Sequence, residues 1–398
     1  MKLLHTSDWH IGQIFKGESR REEHRLFFEW LRNFIVTQNI EALLVSGDIF
    51  DVASPSSKAL QSYYNFLVSL QGSCCKKVIV TGGNHDGIAT LEAPKEILDM
   101  LNIDIISGDK KSLQNKENLL IPLYNANNEI EVVVCAVPFL REQVLREATL
   151  HQTSSSVEEE IAQATEDFYQ EVLALAKKNY SQQKIVAMGH LTVLGAQESE
   201  SEREIYLGKL KGVDLTLFRG YDYVALGHLH RAQKVGQNEF VRYSGSPLKL
   251  SFSEANQTKK VVVYDSTAQS VEEVSIPVFR DFYRFNATSE TLLELLNSVA
   301  PKELAPFIEI SLKDEYISAQ KVVQLQENAQ NLGLKLLELR TTQSEYNNGN
   351  KVQLQRLDEI TPLMAFELKI SEYEELEQKK EQLIECFKEI EELVYEDS

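Results

Sequence analysis

Four cysteines in 398 residues, with Cys74 beside Cys75 and with Cys135 and Cys386 far from both, offer no paired spacing for a zinc site or a disulfide framework. They read as small hydrophobes that favour burial. No run approaches the roughly 18 apolar residues of a membrane span, so no membrane partner is expected. The first residues, Met1-Lys2-Leu3-Leu4-His5, turn polar at Thr6-Ser7-Asp8, too early for a signal peptide, which makes the cytoplasm the expected location. No G-x-x-x-x-G-K-[ST] loop is present, so nucleotide hydrolysis is not expected of this chain itself. Positive charge is scarce, with 41 Lys and Arg against 60 Asp and Glu and a net charge of −19. That deficit argues against a nucleic-acid partner, but it is uneven. Residues 371–398 alone hold eleven acids against three lysines, a net of −8.

What is present is an alternation. Compact runs rich in Val, Ile, Leu and Ala at 3–6, 42–46, 78–81, 132–137, 185–188 and 223–226 read as buried strands. The stretches 20–37, 56–70 and 157–178 between them read as helices. Such alternation predicts a layered α/β domain whose chemistry collects in the loops at the carboxyl ends of the strands. Past Ile276-Pro277 a second pattern begins, with strands at 282–287, 307–312 and 334–340 separated by helices at 288–299 and 318–331. It predicts a small α+β domain. The expected division is 1–275, 276–345 and 346–398, the last a polar linker and an acidic helix. In that helix Leu376, Leu383 and Ile390 recur every seven residues.

Five of the strands end in tight turns bearing Asp, His or Asn: Asp8-Trp9-His10, Gly47-Asp48-Ile49-Phe50-Asp51, Gly83-Asn84-His85-Asp86, Gly189-His190 and Gly227-His228-Leu229-His230. A single histidine after glycine is more often a turn or core residue than a ligand. Five such turns in succession, each after a strand, call for a common cause. Imidazole nitrogen combined with carboxylate and amide oxygen suits Mn²⁺, Fe²⁺ or Zn²⁺. Two ions about 3.5–4 Å apart can clamp a phosphodiester and activate water, provided one carboxylate bridges them. Glycine before Asp48, Asn84, His190 and His228 permits a sharp turn and a close backbone approach.

The order D-x-H, G-D-x-x-D, G-N-H-D, G-H, G-H-x-H resembles that of the calcineurin-like metallophosphoesterases. The resemblance implies a metallophosphoesterase sandwich with a cap domain and a C-terminal helical tail. It implies that Asp8, His10, Asp48 and His230 hold one ion and Asp48, Asn84, His190 and His228 the other; the mixed nitrogen and oxygen donors make Mn²⁺ the leading choice. It makes His85 the residue that stabilises the transition state or protonates the leaving oxygen, with Asp86 orienting it. Gly-Asp-Ile-Phe-Asp-Val-Ala-Ser-Pro-Ser from Gly47, Tyr-Val-Ala-Leu-Gly-His-Leu-His-Arg-Ala-Gln from Tyr223 and Tyr-Ser-Gly-Ser-Pro-Leu-Lys-Leu-Ser-Phe-Ser-Glu from Tyr243 resemble the SbcD nuclease branch. Ser201-Glu202-Arg203 fits the same pattern.

From that branch follow a DNA substrate, 3′-to-5′ exonuclease activity on duplex ends and endonuclease activity on single strands or hairpins. An SbcC-like ATPase docked on the C-terminal helix and a homodimer within a heterotetramer also follow. Arg203, Arg231 and Lys249 either contact phosphate or carry surface charge. Tyr243 and Ser246 either hold a strand-end turn or bond a DNA backbone, and the resemblance favours the DNA role. Asp51 is left open between a residue behind the ligands and a turn residue. His5 is expected to be packed, and His24 and His151 solvated. The competing functions are a small-substrate phosphodiesterase of the same fold and a non-catalytic DNA-repair scaffold.

Overall fold

The computed structural model describes residues 1–148, 157–197, 212–288, 290–300, 302–313 and 319–341. Two six-stranded sheets make the body. The first runs β14 (Ser270–Ser275), β13 (Lys260–Asp265), β1 (Lys2–Thr6), β4 (Ala42–Ser46), β5 (Lys77–Thr81), β6 (Ile103–Ile106), with β1, β4, β5 and β6 mutually parallel. The second runs β11 (Gln233–Val235), β12 (Asn238–Tyr243), β10 (Tyr223–Gly227), β9 (Lys184–His190), β8 (Ile130–Ala136), β7 (Leu120–Tyr124), and β8, β9, β10 and β12 are parallel.

Alternation along β1 and β4 sorts the layers. Leu3 and Leu44 join Val134, Val186 and Val224 in a core between the sheets. Leu4, Leu43 and Val45 face outward onto α1 (Arg21–Thr37) and α2 (Ser57–Ser69) through Phe27, Phe28, Leu31, Phe66 and Leu67. Helix α1 has Glu22 and Glu23 in its first turn, where carboxylates offset the helix dipole. The Ser56 hydroxyl caps α2 by accepting from Ala59 N–H at 3.3 Å. Short helices α3 (Ile88–Glu92), α4 (Lys95–Asp99), α5 (Lys110–Gln114) and α6 (Glu142–Ala148) fill connections. Helix α7 (Val157–Asn179) brings Tyr169, Val172, Leu173 and Ala176 into the core beside β8 and β9.

A third sheet, β15 (Phe282–Ala287), β16 (Phe307–Leu312) and β17 (Lys335–Thr341), packs α8 (Leu292–Ser298) and α9 (Ala319–Asn331) around its own core of Leu292, Leu296, Ile308, Ile310 and Leu325. It meets the β2 (Ile14–Phe15) and β3 (Glu18–Ser19) hairpin, which leaves the His10 loop. Phe15, Phe252, Phe282 and Phe307 form a small cluster there. The buried Arg20 guanidinium lies 5.2–5.9 Å from three of those rings. Arg20 donates to Glu23 at 2.6 Å, and Arg280 lies 3.1 Å from the same carboxylate. Lys16–Glu338 (2.6 Å) and Lys335–Glu18 add ion pairs across this seam.

The apolar runs mark six strands of the two large sheets. Of the others, β6 and β11 are shorter, β7 contains proline and β12 and β14 are interrupted by charge, whereas β13 carries an uninterrupted Val261–Tyr264 run that the sequence pattern did not single out. Cys74, Cys75 and Cys135 are unbridged. The expected acidic tail, Cys386 and His151 lie outside the described residues. No helix among the described residues is long and apolar enough to cross a membrane.

Candidate metal centre and active site

The carboxyl ends of β1, β4, β5, β9 and β10 converge where the two sheets meet. Ser46 Oγ donates to Ala225 O across the gap at 2.9 Å, and the buried His5 ring contacts Tyr223 Oη and Leu226 O. His5 is therefore packed, as the sequence suggests, and its burial lowers its pKa to about 3. His24 differs from the expected solvated side chain. It is buried against the carbonyls of Trp9 (2.7 Å) and Arg20 (3.0 Å), and burial lowers its pKa to about 4. Trp9, wholly enclosed by Phe27, Phe28, Tyr63 and Phe66, anchors the loop between Asp8 and His10.

Among the described residues two sets of side chains emerge whose ligand atoms lie within 4.8 Å of one another: Asp8, His10 and His230, and Asp48, His190 and His228. All six are buried. Asp48 stands between the sets, with Oδ2 3.2 Å from His190 Nε2 and 3.9 Å from His10 Nε2. Asn84 Oδ1 accepts from His190 Nε2 at 2.9 Å and His228 Nδ1 at 3.1 Å, which adds the amide to the second set.

Backbone strain is concentrated here. Asp8 (φ 52°), His10 (47°), Asp48 (49°) and His228 (97°) have positive φ, a conformation costing about 1–3 kcal/mol for each non-glycine residue. Gly227 has no room for a side chain, because a Cβ would sit 1.8 Å from Ser46 O.

The charge pattern fits a cation. Burial opposes charge on every group, yet the Asp48 carboxylate, followed by Asp8, holds a proton on His190 up to about pH 9. His10 is likewise raised, its burial outweighed by Asp51, Asp48 and Asp8. Burial resists ionisation of Asp48, but His190 and His10 keep its pKa well below the carboxylate range. Asp8 is pushed up to about 7 by burial, reinforced by Asp48. His228 (about 3) and His230 are lowered, chiefly by burial. Neither ring nitrogen of His10 makes a hydrogen bond among the described residues. Nδ1 lies at ion-pair distance, 3.2 Å, from Asp51 Oδ1, without hydrogen-bond geometry. Buried nitrogen donors beside carboxylates that otherwise retain protons suit divalent ions.

His85 is partly exposed, and its ring lies 4.9 Å from that of His10. Its Nδ1–H donates to the Asp51 carbonyl at 2.8 Å, which fixes the tautomer and leaves Nε2 without a partner among the described residues. Asp86 does not orient it, contrary to expectation. The buried Asp86 carboxylate instead accepts N–H from Ile49 (3.1 Å), Phe50 (3.0 Å) and Gly83 (2.8 Å), tying the Asp48 loop to the Asn84 loop. Asp51 is the residue behind the ligands, touching His10 with its carboxylate and His85 with its carbonyl.

Two expected DNA contacts are also displaced. Tyr243 and Ser246 have 0% exposure, and their hydroxyls bond backbone groups of Leu191, Val193 and Leu248. Neither can meet a polymer. Arg231 is exposed and donates to Gln197 Oε1 at 2.6 Å. Arg203 lies outside the described residues. Lys249 is half-buried and bonds Ala255 O. The sequence reading misses Arg141, which donates through Nη2 to Asp86 O at 2.9 Å and has no carboxylate partner among the described residues. It follows the predicted strand 132–137, but that strand's end lacks the Gly-Asp-His signature of the others.

Residues 1–232 match the family described as calcineurin-like phosphoesterase, and residues 278–385 match one described as type 5 capsule protein repressor C-terminal domain. The chain belongs to the calcineurin-like phosphoesterase family. Its relatives narrow the branch. It is 38% identical over 283 residues to the SbcD subunit of the nuclease SbcCD from Escherichia coli (strain K12), covering 70% of this chain and 69% of that protein. It is 31% identical over 380 residues to the SbcD subunit from Rhodobacter capsulatus, covering 92% of this chain and 93% of that protein. The corresponding SbcD subunit from Bacillus subtilis is 31% identical over 273 residues, 67% of this chain and 66% of that protein.

Proposed function

We propose that this chain is the nuclease subunit of an SbcCD-type complex, a two-metal phosphodiesterase that cuts DNA. The observation that carries this reading is the pair of abutting ligand sets with Asp48 between them and a partly exposed His85 alongside. Asp8, His10, Asp48 and His230 hold one ion; Asp48, Asn84, His190 and His228 hold the other. Mn²⁺ suits their mixed nitrogen and oxygen donors. Bound ions supply Lewis acidity and lower the pKa of water for in-line hydrolysis.

The chain's own part is positioning and proton handling. Asp86 locks the two loops that present Asp48 and Asn84. The Asp51 carbonyl accepts the Nδ1–H of His85, so Nε2 is the nitrogen that, in the imidazolium form where it carries the second proton, stabilises the transition state or protonates the leaving oxygen. Arg141 and Arg231 supply cationic contacts for phosphate oxygens in a chain of net charge −19. Residues 1–275 form the catalytic domain and 276–345 a cap. Residues 346–398 carry the acidic helix that docks an SbcC-like ATPase, in a homodimer within a cytoplasmic heterotetramer. The activities expected are 3′-to-5′ exonuclease on duplex ends and endonuclease on single strands and hairpins.

The test is cleavage of end-labelled duplex and hairpin DNA by the purified chain with Mn²⁺, with and without chelator, beside bis-p-nitrophenyl phosphate. Chelator-sensitive DNA cutting is expected. His85→Ala should lower it by about 10²–10⁴-fold while Mn²⁺ binding persists. Turnover of the small ester with DNA untouched, even with the ATPase added, would replace this reading with a small-substrate phosphodiesterase.

A further inference from the structure

The segment from Tyr243 to Lys259 passes behind three of the loops that carry the site. The Tyr243 hydroxyl donates to Leu191 O at 2.8 Å and accepts from Val193 N–H at 2.9 Å, bracing the chain just after His190. Ser244 Oγ lies 2.7 Å from Ser7 Oγ, and Ser7 Oγ donates to Asp8 Oδ2 at 2.5 Å. The carbonyl of His230 accepts from Ser246 N–H at 3.1 Å and from Lys259 Nζ at 3.0 Å.

Lys259 spends its three donors within this cluster. Besides His230 O, they reach Ser246 Oγ at 2.8 Å and Glu254 Oε2 at 2.5 Å. Glu254 is 0% exposed and Lys259 7%. Glu254 also accepts Leu250 N–H at 3.0 Å. Gly245 lets the turn close, since its φ is +74° and a Cβ would stand 2.7 Å from His230 O.

A buried ion pair is a costly device where packing alone is needed, because apolar side chains of similar size stabilise as well or better. This one is aimed at a backbone carbonyl of the His228–His230 turn. The ring contacts of the two sets also differ. Asn84 hydrogen-bonds two rings of the other set, whereas among the described residues the ring of His10 has the Asp51 carboxylate 3.2 Å from Nδ1, without hydrogen-bond geometry.

We infer that the segment from Ser244 to Lys259 is a positioning clasp for the Asp8–His10–His230 set. Ser244 acts through Ser7 on the Asp8 carboxylate, and Lys259, steered by Glu254, acts on the backbone of His230. Partners behind metal ligands typically set affinity by about 10–100-fold. The inference rests on the proposed reading of these three residues as ligands.

The test is Mn²⁺ titration of the full chain by calorimetry and electron paramagnetic resonance, counting ions and reading each affinity. The variants are Lys259→Met/Glu254→Leu, which removes the pair without leaving a lone buried charge, and the milder Ser244→Ala. Circular dichroism and melting without metal check the fold, and Ser244→Ala carries the test if the double variant does not fold. One of the two Mn²⁺ ions should bind about 10–100-fold more weakly in the double variant and about tenfold more weakly in Ser244→Ala, the other ion being unchanged. Ser244→Thr, which restores the hydroxyl, should recover the loss. Wild-type affinities for both ions in folded variants, or equal weakening of both, would overturn the clasp while leaving the ligand reading intact. Fewer than two ions on the wild-type chain would overturn the ligand reading, and the clasp with it.

Discussion

Side chains of the Asp48–His190–His228 set meet one another, through Asn84 and through the 3.2 Å contact between Asp48 and His190, with Ser46 O and His85 N–H adding backbone contacts, whereas the Asp8–His10–His230 set is held by the His228 N–H, Ser7, Asp51 and the Lys259–Glu254 pair. The first set comes from the turns after β4, β9 and β10. The second joins the end of β1 to a turn whose far side faces the 243–259 segment. A site can therefore hold two similar cations with unequal preorganisation. The set with internal hydrogen bonds needs little reordering to bind, and the propped set depends on residues that never touch the ion.

Removing the carboxylate between the sets should erase the difference. Asp48→Asn should abolish high-affinity Mn²⁺ binding at both and lower DNA cleavage by about 10²–10³-fold or more; retained two-ion binding would mean that Asp48 does not bridge. The pH dependence sharpens the comparison. His190 keeps a proton up to about pH 9, and an incoming ion must displace it. Affinity at the Asp48–His190–His228 set should therefore rise by up to about tenfold per pH unit between 6.5 and 9, then level off. An ordinary histidine would level off near 6.5, so a plateau there would contradict the raised value.

A smaller effect should follow Asp51→Ala, which removes the carboxylate beside His10 but keeps the carbonyl that orients His85. Calorimetry should show about tenfold weaker binding of one ion, with the other unchanged. A separate effect, outside the metal centre, concerns stability. His5 and His24 are buried neutral, at about 3 and about 4, below their unfolded value of 6.5. Their contribution is complete above pH 6.5 and is lost as pH falls toward those values, because the unfolded chain takes up the protons first. Urea unfolding of metal-free protein should lose about 1.4 kcal/mol per pH unit for each histidine across that window. A flat profile would mean that the two rings are hydrated.

The ligand turns were legible because each couples an apolar run to Gly, Asp, Asn or His, and the parallel sheets bring those ends together. Sequence adjacency misleads about what lies behind them. Asp86 neighbours His85 in the chain, yet its carboxylate turns inward to three backbone N–H groups, and the orienting group is a carbonyl 34 residues earlier. Tyr243 and Ser246 sit in a polar motif after a strand, which looks like exposed surface until the motif is seen folded under three other loops. Nothing local links Lys259 to His230, 29 residues away. For His24 the signal was present and outweighed: charged neighbours suggest solvent, but spacing places it on the face of α1 that carries Phe27, Phe28 and Leu31.

The most direct measurement is anomalous diffraction at the manganese edge from crystals of the chain grown with limiting and then saturating Mn²⁺. Two peaks should appear at saturation, one among Asp8, His10 and His230 and one among Asn84, His190 and His228, with Asp48 in contact with both. The second should fill first under limiting metal. A single peak at saturation, or earlier filling beside His10, would contradict a two-ion site with one self-supporting and one propped half.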